Sequence, residues 1–237
     1  MRIAVFAPAP SYPALDIRAA IQRVGMEAFD FSWATIQESD DKTEAYVLLA
    51  DSPKDWLHPA AQSLIQLLHE KSRQGKPILG LGYGSTSLLV DQGLIPGLFK
   101  NMVGLKLEEN LQAEKLPLET WARLAPDYQY NAFTQVFPPQ LFLPVCLKTA
   151  AQFVIPPGLL MEVKAQGLNV FLYCDALGHF QNETSIAALA NKAGTVMAML
   201  PHPEKTLACD LLFASLQAYL QRGYREQVEP LYYWPRK

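Results

Sequence analysis

The sequence predicts a three-layer α/β domain, with a mostly parallel sheet flanked by helices on both faces. Short apolar runs alternate with segments of helical spacing through the first hundred residues. Alternating strands and helices of this kind form parallel sheets, whose strands are buried on both faces. Half of the 237 residues are hydrophobic, which is enough for a sizeable core. No linker interrupts the chain, so we expect a single domain over residues 1–237.

The elements of the first half follow from their periodicity. In chain order they are a strand in RIAVFA, a helix in ALDIRAAIQRVG, a strand in EAYVLLA, a helix in WLHPAAQSLIQLLHEKSRQG, a strand in KPILGLG and a short helix in STSLLVDQG. Both longer helices end at a glycine, Gly25 and Gly75, which is the usual residue after a helix C-cap.

The second half begins with a less regular segment. Residues 101–157 are rich in proline and aromatic side chains, and we expect irregular structure with antiparallel strands there. Regular signals then return as three consecutive strands and a terminal helix: NVFLYCD, SIAALAN, TVMAMLPH and EKTLACDLLFASLQAYLQRG.

Composition excludes several classes of function. The formal net charge of −3 disfavours a nucleic-acid partner. Cys146, Cys174 and Cys209 are widely spaced and form no CxxC pair, which argues against a disulfide scaffold or a zinc site and fits a reducing cytosol. The glycines near residue 82 lack the flanking residues of a phosphate or dinucleotide loop. No apolar run suits a signal peptide or a membrane helix. We therefore expect a cytoplasmic protein without metal, cofactor or membrane contact.

Two stretches carry the residue types of a nucleophilic enzyme. The stretch GKPILGLGYGSTSLLVDQGLIPG predicts a strand, a sharp turn and a helix, where many α/β enzymes mount their nucleophile. Its apex, however, is Gly82. The second stretch places His202 between two prolines with Glu204 following, an arrangement that suits a base and the carboxylate that orients it. Alternatively, His202 caps a strand end and Glu204 begins a helix, where a negative charge is favourable.

Together these stretches resemble the class I glutamine amidotransferases, and within them the glutaminase part of phosphoribosylformylglycinamidine (FGAM) synthase. The family's elbow, G-K-P-[VI]-L-G-[IV]-C-N-G, is matched by residues Gly75–Leu81, and its G-L-[LI]-P-G segment by Gly93–Gly97, with one extra residue between them. The closing M-[ML]-P-H-P-E motif is matched by Met199–Glu204. The resemblance is weak over residues 101–168. It implies a flavodoxin-like fold, a role in purine biosynthesis and a partner of the FGAM synthase type.

Two departures from the family pattern bear on catalysis. The family's cysteine falls on Gly82, which cannot form a covalent intermediate. The family's P-G-G-F oxyanion loop is replaced by residues Ala50–Pro53, where proline donates no N–H and Asp51 places negative charge near the developing oxyanion. The family's A-H-G-E-G segment also has no clear match. His202 and Glu204 would then be the remnant of a triad whose nucleophile position is Gly82.

The expected function is therefore that of a glutaminase-like protein defective in glutamine hydrolysis. Two alternatives remain open. The chain is a non-enzymatic binding or regulatory protein that reuses the old pocket, or it is a hydrolase whose nucleophile is Ser85 in the helix after the turn.

Overall fold

The computed structural model describes most of the chain. The described residues are 1–8, 12–36, 42–96, 106–109, 118–149, 151–180, 182, 184–203 and 206–222. Their strands are β1 Arg2–Phe6, β2 Glu27–Phe31, β3 Thr43–Leu49, β4 Ile78–Leu81, β5 Lys106–Glu109, β6 Leu118–Leu124, β7 Phe142–Leu147, β8 Ala151–Val154, β9 Asn169–Cys174, β10 Ile186–Ala190 and β11 Val196–Met199. Their helices are α1 Tyr12–Arg23, α2 Ala61–Arg73, α3 Tyr83–Asp91, α4 Pro157–Ala165 and α5 Leu207–Arg222.

One nine-stranded sheet organises the molecule, in the order β2-β1-β3-β4-β11-β10-β9-β6-β7. The first five strands of this order are mutually parallel, and each later neighbour pairs antiparallel. As a result, β10 and β6 run opposite to the other strands of the sheet. A separate antiparallel pair joins β5 to β8.

Two hydrophobic clusters cover the two faces of the sheet. Helices α1 and α5 pack on one face, where Ile17 and Phe213 are fully buried. Helices α2, α3 and α4 pack on the other face through such residues as Leu64, Leu89 and Val163. The alternation of side chains along each buried strand supplies both clusters. These layers confirm the predicted three-layer α/β fold with a mostly parallel sheet.

Two elements were missing from the sequence prediction. Strand β2 pairs with β1 at the edge of the sheet, so the strand predicted as the second is the third, β3. Helix α4 begins at Pro157, the last residue of the segment predicted to be irregular, and covers residues for which no element was predicted. Antiparallel strands do occur in the irregular segment, although residues 97–105 and 110–117 lie outside the described part of the chain. Within the described helices, none is long and apolar enough to cross a membrane.

Candidate functional site

The candidate site lies where three adjacent parallel strands end. Strands β3, β4 and β11 are neighbours in the sheet, and all point the same way. Asp51 follows the end of β3, Gly82 follows β4 and His202 follows β11. Ligands of open α/β sheets bind at this edge, outside the carboxyl ends of the strands. Residues far apart in sequence therefore meet because their strands are adjacent.

Gly82 forms the sharp turn between β4 and α3. Its φ is 86° and its ψ is 166°, a combination open essentially to glycine alone. The Gly82 N–H donates to the Met199 carbonyl of β11 at 2.9 Å, and its carbonyl accepts from Thr86 N–H at 3.0 Å. The chain thus turns sharply at Gly82, and α3 begins directly behind the turn with its positive dipole end there.

The space above Gly82 is occupied by neighbouring atoms. A Cβ at residue 82 would lie 2.6 Å from the Ala50 carbonyl oxygen. It would also lie 2.9 Å from Asp51 Oδ1 and 2.9 Å from His202 Nε2. All three distances are shorter than real Cβ contacts, and the first involves backbone that cannot rotate away. A side chain at residue 82 would therefore collide with its neighbours.

His202 is fixed by its backbone and by both ring nitrogens. Its N–H donates to the Cys146 carbonyl at 2.7 Å, and its carbonyl accepts from Cys146 N–H at 3.0 Å. The ring is buried, with Nε2 only 2.5 Å from Asp51 Oδ1, which is hydrogen-bonding distance. Lys148 Nζ lies 3.4 Å from Nδ1. Donation from Lys148 corresponds to the tautomer that carries its hydrogen on Nε2, facing the carboxylate.

Asp51 is the acidic partner in this cluster. Burial opposes its ionisation, but the contact with His202, the charge of His202 and the nearby Lys148 outweigh burial and lower the pKa of Asp51. Lys148 Nζ lies 3.7 Å from Asp51 Oδ2. The Thr149 hydroxyl also donates to the Asp51 carbonyl at 3.2 Å. Lys148 and Thr149, which follow β7, therefore hold Asp51 next to Gly82.

The loop after β3 uses its own amides internally. Ser52 N–H donates to Asp55 Oδ2 at 3.0 Å, and Lys54 N–H donates to Ser52 Oγ at 3.2 Å, which together form a capping box on the turn Pro53–Trp56. Pro53 has no N–H to give. This is the loop expected to replace an oxyanion loop, and residues 52–54 have their amide hydrogens either engaged or missing.

The same loop is hydrogen-bonded to the first turn of α3. Trp56 Nε1 donates to the Gly84 carbonyl at 2.8 Å, and Ser85 N–H donates to the Ala50 carbonyl at 3.2 Å. A Cβ on Gly84 would collide with the Ser52 backbone, so glycine is required for this close approach. The loop that carries Asp51 is therefore rigidly placed beside the elbow.

The other candidate residues have different surroundings. Ser85 is fully buried on the side of α3 that faces Gly80. Cys174 and Cys209 are buried, whereas Cys146 is partly exposed and pairs with His202. Glu204 lies outside the described residues, so its predicted place beside the ring stays a prediction. Among the described residues, no group of three His, Cys, Asp or Glu side chains is arranged to hold a metal ion.

Sequence reasoning had named Asp51 as a misplaced charge but not as the partner of His202, and it did not find Lys148 at all. Lys148 belongs to the segment with the weakest periodicity. Nothing in the sequence indicates that the end of β7 lies against the end of β11.

The chain has curated relatives with one shared description. It is 31% identical over 139 residues to the phosphoribosylformylglycinamidine synthase subunit PurQ of Mycolicibacterium paratuberculosis, covering 58% of this chain and 56% of that protein. It is 26% identical to PurQ of Aquifex aeolicus over 64% of this chain and 67% of that protein. This chain is similar to PurQ. The similarity to PurQ of Methanothrix thermoacetophila extends over 86% of both chains, at 23% identity. In the Mycolicibacterium comparison, the chain spans little more than half the length of its relative.

Solved structures share the fold. A chain of PurLQS from Thermotoga maritima matches with a TM-score of 0.68 at 19% identity, over 92% of this chain and 98% of that one. A glutamine amidotransferase from Thermotoga maritima gives a TM-score of 0.53 at 14% identity, over 97% of this chain and 86% of that one. A scan against protein-family models gave no match. The fold is thus shared with a glutamine amidotransferase, and the sequence is related to PurQ.

Proposed function

We propose that this chain is a class I glutamine amidotransferase-like subunit that associates with a synthase of the FGAM synthase type and no longer hydrolyses glutamine. The proposal rests on one observation above all. The residue that follows β4 is Gly82, and the space for its side chain is filled by Ala50, Asp51 and His202. A protein with the glutaminase fold but with a closed elbow keeps the architecture of the subunit without its nucleophile.

The missing thiolate removes the covalent route. Hydrolysis of the glutamine amide by a Cys–His pair requires a sulfur atom that attacks the carbonyl carbon and a base that accepts its proton. Residue 82 offers no atom for the attack, and the Nε2 face of His202 is directed at Asp51. A γ-glutamyl thioester therefore cannot form at this turn.

The loop that would supply hydrogen bonds to an oxyanion is altered independently of the missing thiolate. A tetrahedral intermediate needs hydrogen-bond donors aimed at its oxygen, and loss of a single donor costs about 100- to 1,000-fold in rate. The amides of Ser52 and Lys54 are engaged within their own loop. The Asp51 carboxylate adds a negative charge at this place, which would repel an oxyanion. Loss of the sulfur prevents attack on the amide carbon, whereas loss of the oxyanion donors destabilises the tetrahedral intermediate.

Association with a synthase is supported by the comparisons. The similar chains are described as synthase subunits, and PurLQS is a Thermotoga structure with a chain of this fold. Binding to a partner depends on the surface of the fold, which remains intact when the elbow is closed. A role in assembly therefore survives the loss of hydrolysis.

Co-purification with the synthase components of the source organism tests both the proposed partner and the proposed loss of hydrolysis. The tagged chain should retain the component similar to PurL, and the complex should release no ammonia from glutamine above the level of the partner alone. A His202→Ala variant serves as the matched control, since background ammonia should be the same with it. Ammonia release that His202→Ala abolishes would contradict the loss of hydrolysis, and failure to retain any synthase component would contradict the partner.

Two further readings have separate tests. A binding or regulatory role is favoured by the polar cluster of Asp51, His202 and Lys148, which remains at the old site although catalysis is lost. Retention of no synthase component together with no glutaminase activity would favour it. A serine hydrolase would use Ser85, whose full burial argues against it. Labelling of Ser85 by a fluorophosphonate would support that reading.

A further inference from the structure

Helix α3 begins without a capping side chain of its own. Its N-cap residue is Gly82, which has no side chain to accept hydrogen bonds from the first turn. The Asp51 carboxylate stands in that place, because its Oδ1 lies 2.9 Å from the position that a Cβ on Gly82 would take. The N-terminus of a helix carries a partial positive charge, which favours an anion there. Asp51 therefore brings a negative charge to α3 from the loop after β3.

Two further groups approach the same carboxylate from other strands. His202 follows β11, and its Nε2 lies 2.5 Å from Asp51 Oδ1. Lys148 follows β7, and its Nζ lies 3.7 Å from Asp51 Oδ2. Each oxygen of the carboxylate is thus approached by a different nitrogen. A helix N-terminus, an imidazole and an ammonium group therefore converge on one anion, although they belong to three separate parts of the chain.

This place favours the charged form of a carboxyl group. Burial alone would raise the pKa of Asp51, but the hydrogen bond and charge of His202 and the charge of Lys148 outweigh burial and lower that pKa. The groups responsible lie outside the loop that carries Asp51. Because their attraction depends on the charge and position of the carboxylate, it acts equally on a free carboxylate of the same size in the same place.

We propose that the N-terminus of α3, His202 and Lys148 form a binding site for a small carboxylate, and that the Asp51 side chain is its built-in occupant. A group tethered to the same chain competes with free ligands at an effective concentration of about millimolar or higher. The site is therefore closed to diffusible anions while Asp51 is in place. This inference goes beyond the proposed function, because it concerns what the elbow binds rather than glutamine hydrolysis or the synthase.

Removal of the Asp51 carboxylate should open the site to a free ion of the same shape. Asp51→Ala keeps the Cβ and deletes one carboxylate group, and formate is that group as a free ion. Formate at about 100 mM, which is about ten times a Kd of about 10 mM, should raise the Tm of Asp51→Ala by about 3–6 °C. Thermal unfolding of the full-length protein at neutral pH, followed by circular dichroism, measures the rise against an equal concentration of sodium chloride.

Four comparisons separate this site from a general effect of formate. Wild type should show no such rise, because Asp51 occupies the site. Asp55→Ala should show none either, since it removes a carboxylate of the same loop that accepts from Ser52 N–H. Asp51→Ala combined with Lys148→Met should lose most of the rise, because one of the two cationic partners is gone. Benzoate, whose ring exceeds the room left by one carboxylate, should act on Asp51→Ala no more strongly than chloride.

Several outcomes would overturn the proposal. One is an Asp51→Ala variant whose Tm does not respond to formate. Others are a rise of equal size in wild type or in Asp55→Ala, a full rise in the double variant with Lys148→Met, and equal effects of benzoate and formate. If Asp51→Ala does not fold, Asp51→Ser leaves nearly the same room and carries the same test. Synthase retention is measured separately and is unaffected by either result, since the isolated chain is used here.

Discussion

Substitution of Gly82 by alanine probes whether the elbow is closed. Its backbone lies in a region that costs other residues about 1–3 kcal/mol. The new methyl group would meet the Ala50 carbonyl oxygen at 2.6 Å and two side chains at 2.9 Å. Overpacking of this kind costs about a further 1–3 kcal/mol. The free energy of unfolding should therefore fall by about 2–6 kcal/mol.

Gly75→Ala is a control for the cost of a positive φ. Gly75 also has a positive φ, of 76°, but a Cβ there has no neighbour within 4 Å. The difference between the two variants then reports the contacts around residue 82 together with its ψ of 166°, and the contacts should contribute about 1–3 kcal/mol of it. For a chain of this length, that corresponds to a Tm about 2–12 °C lower for Gly82→Ala than for Gly75→Ala. Thermal unfolding followed by circular dichroism measures it, and a Gly82→Ala variant as stable as Gly75→Ala would refute the closed elbow.

The crowding around residue 82 also predicts that a cysteine introduced there will not restore hydrolysis. Gly82→Cys should give no glutaminase turnover, because its sulfur would have to displace Asp51 and the oxyanion side would remain unbuilt. Ammonia release by Gly82→Cys, assayed with and without the synthase partner, checks this. Turnover in that single variant at the rate of an active glutaminase would show that the loop Ala50–Pro53 does supply donors to the oxyanion.

Asp51→Asn tests the polar cluster around His202, and Trp56→Phe tests the attachment to α3 of the loop that carries Asp51. The lowered pKa of Asp51 makes its ionised form stabilising above the ordinary aspartate pKa of about 3.9, and this contribution is lost as the pH falls through the folded-state value. Asp51→Asn should therefore be less stable than wild type in urea at pH 6, with the difference shrinking as the pH falls below the ordinary aspartate pKa; a difference that is the same at every pH would exclude ionisation as its cause. Trp56→Phe should cost about 1–3 kcal/mol, because it leaves the Gly84 carbonyl without its donor, whereas Trp33→Phe should cost less, since Trp33 is only half-buried and stacks on exposed His58. Equal losses in the two tryptophan variants would count against the hydrogen bond.

The parallel half of the fold was predictable because its strands are buried on both faces. Residues Ile78–Leu81 and Thr43–Leu49 read as apolar runs for this reason, and glycine marks the helix ends. Strand β2 was missed because it lies at the sheet edge, where Glu27 and Asp30 are exposed and break the apolar run. Helix α4 was missed because Pro156 and Pro157 indicated a loop, although proline also suits the first turn of a helix, where Pro157 stands.

The candidate site was only half predictable for a different reason. Motifs placed Gly82 and His202 at strand ends, and the structure brings them together through the adjacency of β4 and β11. The contact of Asp51 with His202 depends on the path of a short loop and on the capping box within it. Lys148, the residue after β7, reaches the ring, and Cys146 of β7 pairs with the His202 backbone, although β7 is an edge strand of the sheet with no family motif. Long-range register of this kind is not encoded in any local pattern.

The position of β11 has a consequence for synthesis of the chain. Residues up to 91 contain four strands of the sheet, yet the partner that covers the free edge of β4 is residues Val196–Met199. Until the ribosome has released that segment, the apolar edge of β4 has no parallel neighbour, and an uncovered edge invites pairing with other chains. This edge of β4 therefore stays without its partner strand for about a hundred residues of elongation, and truncations before residue 196 should aggregate.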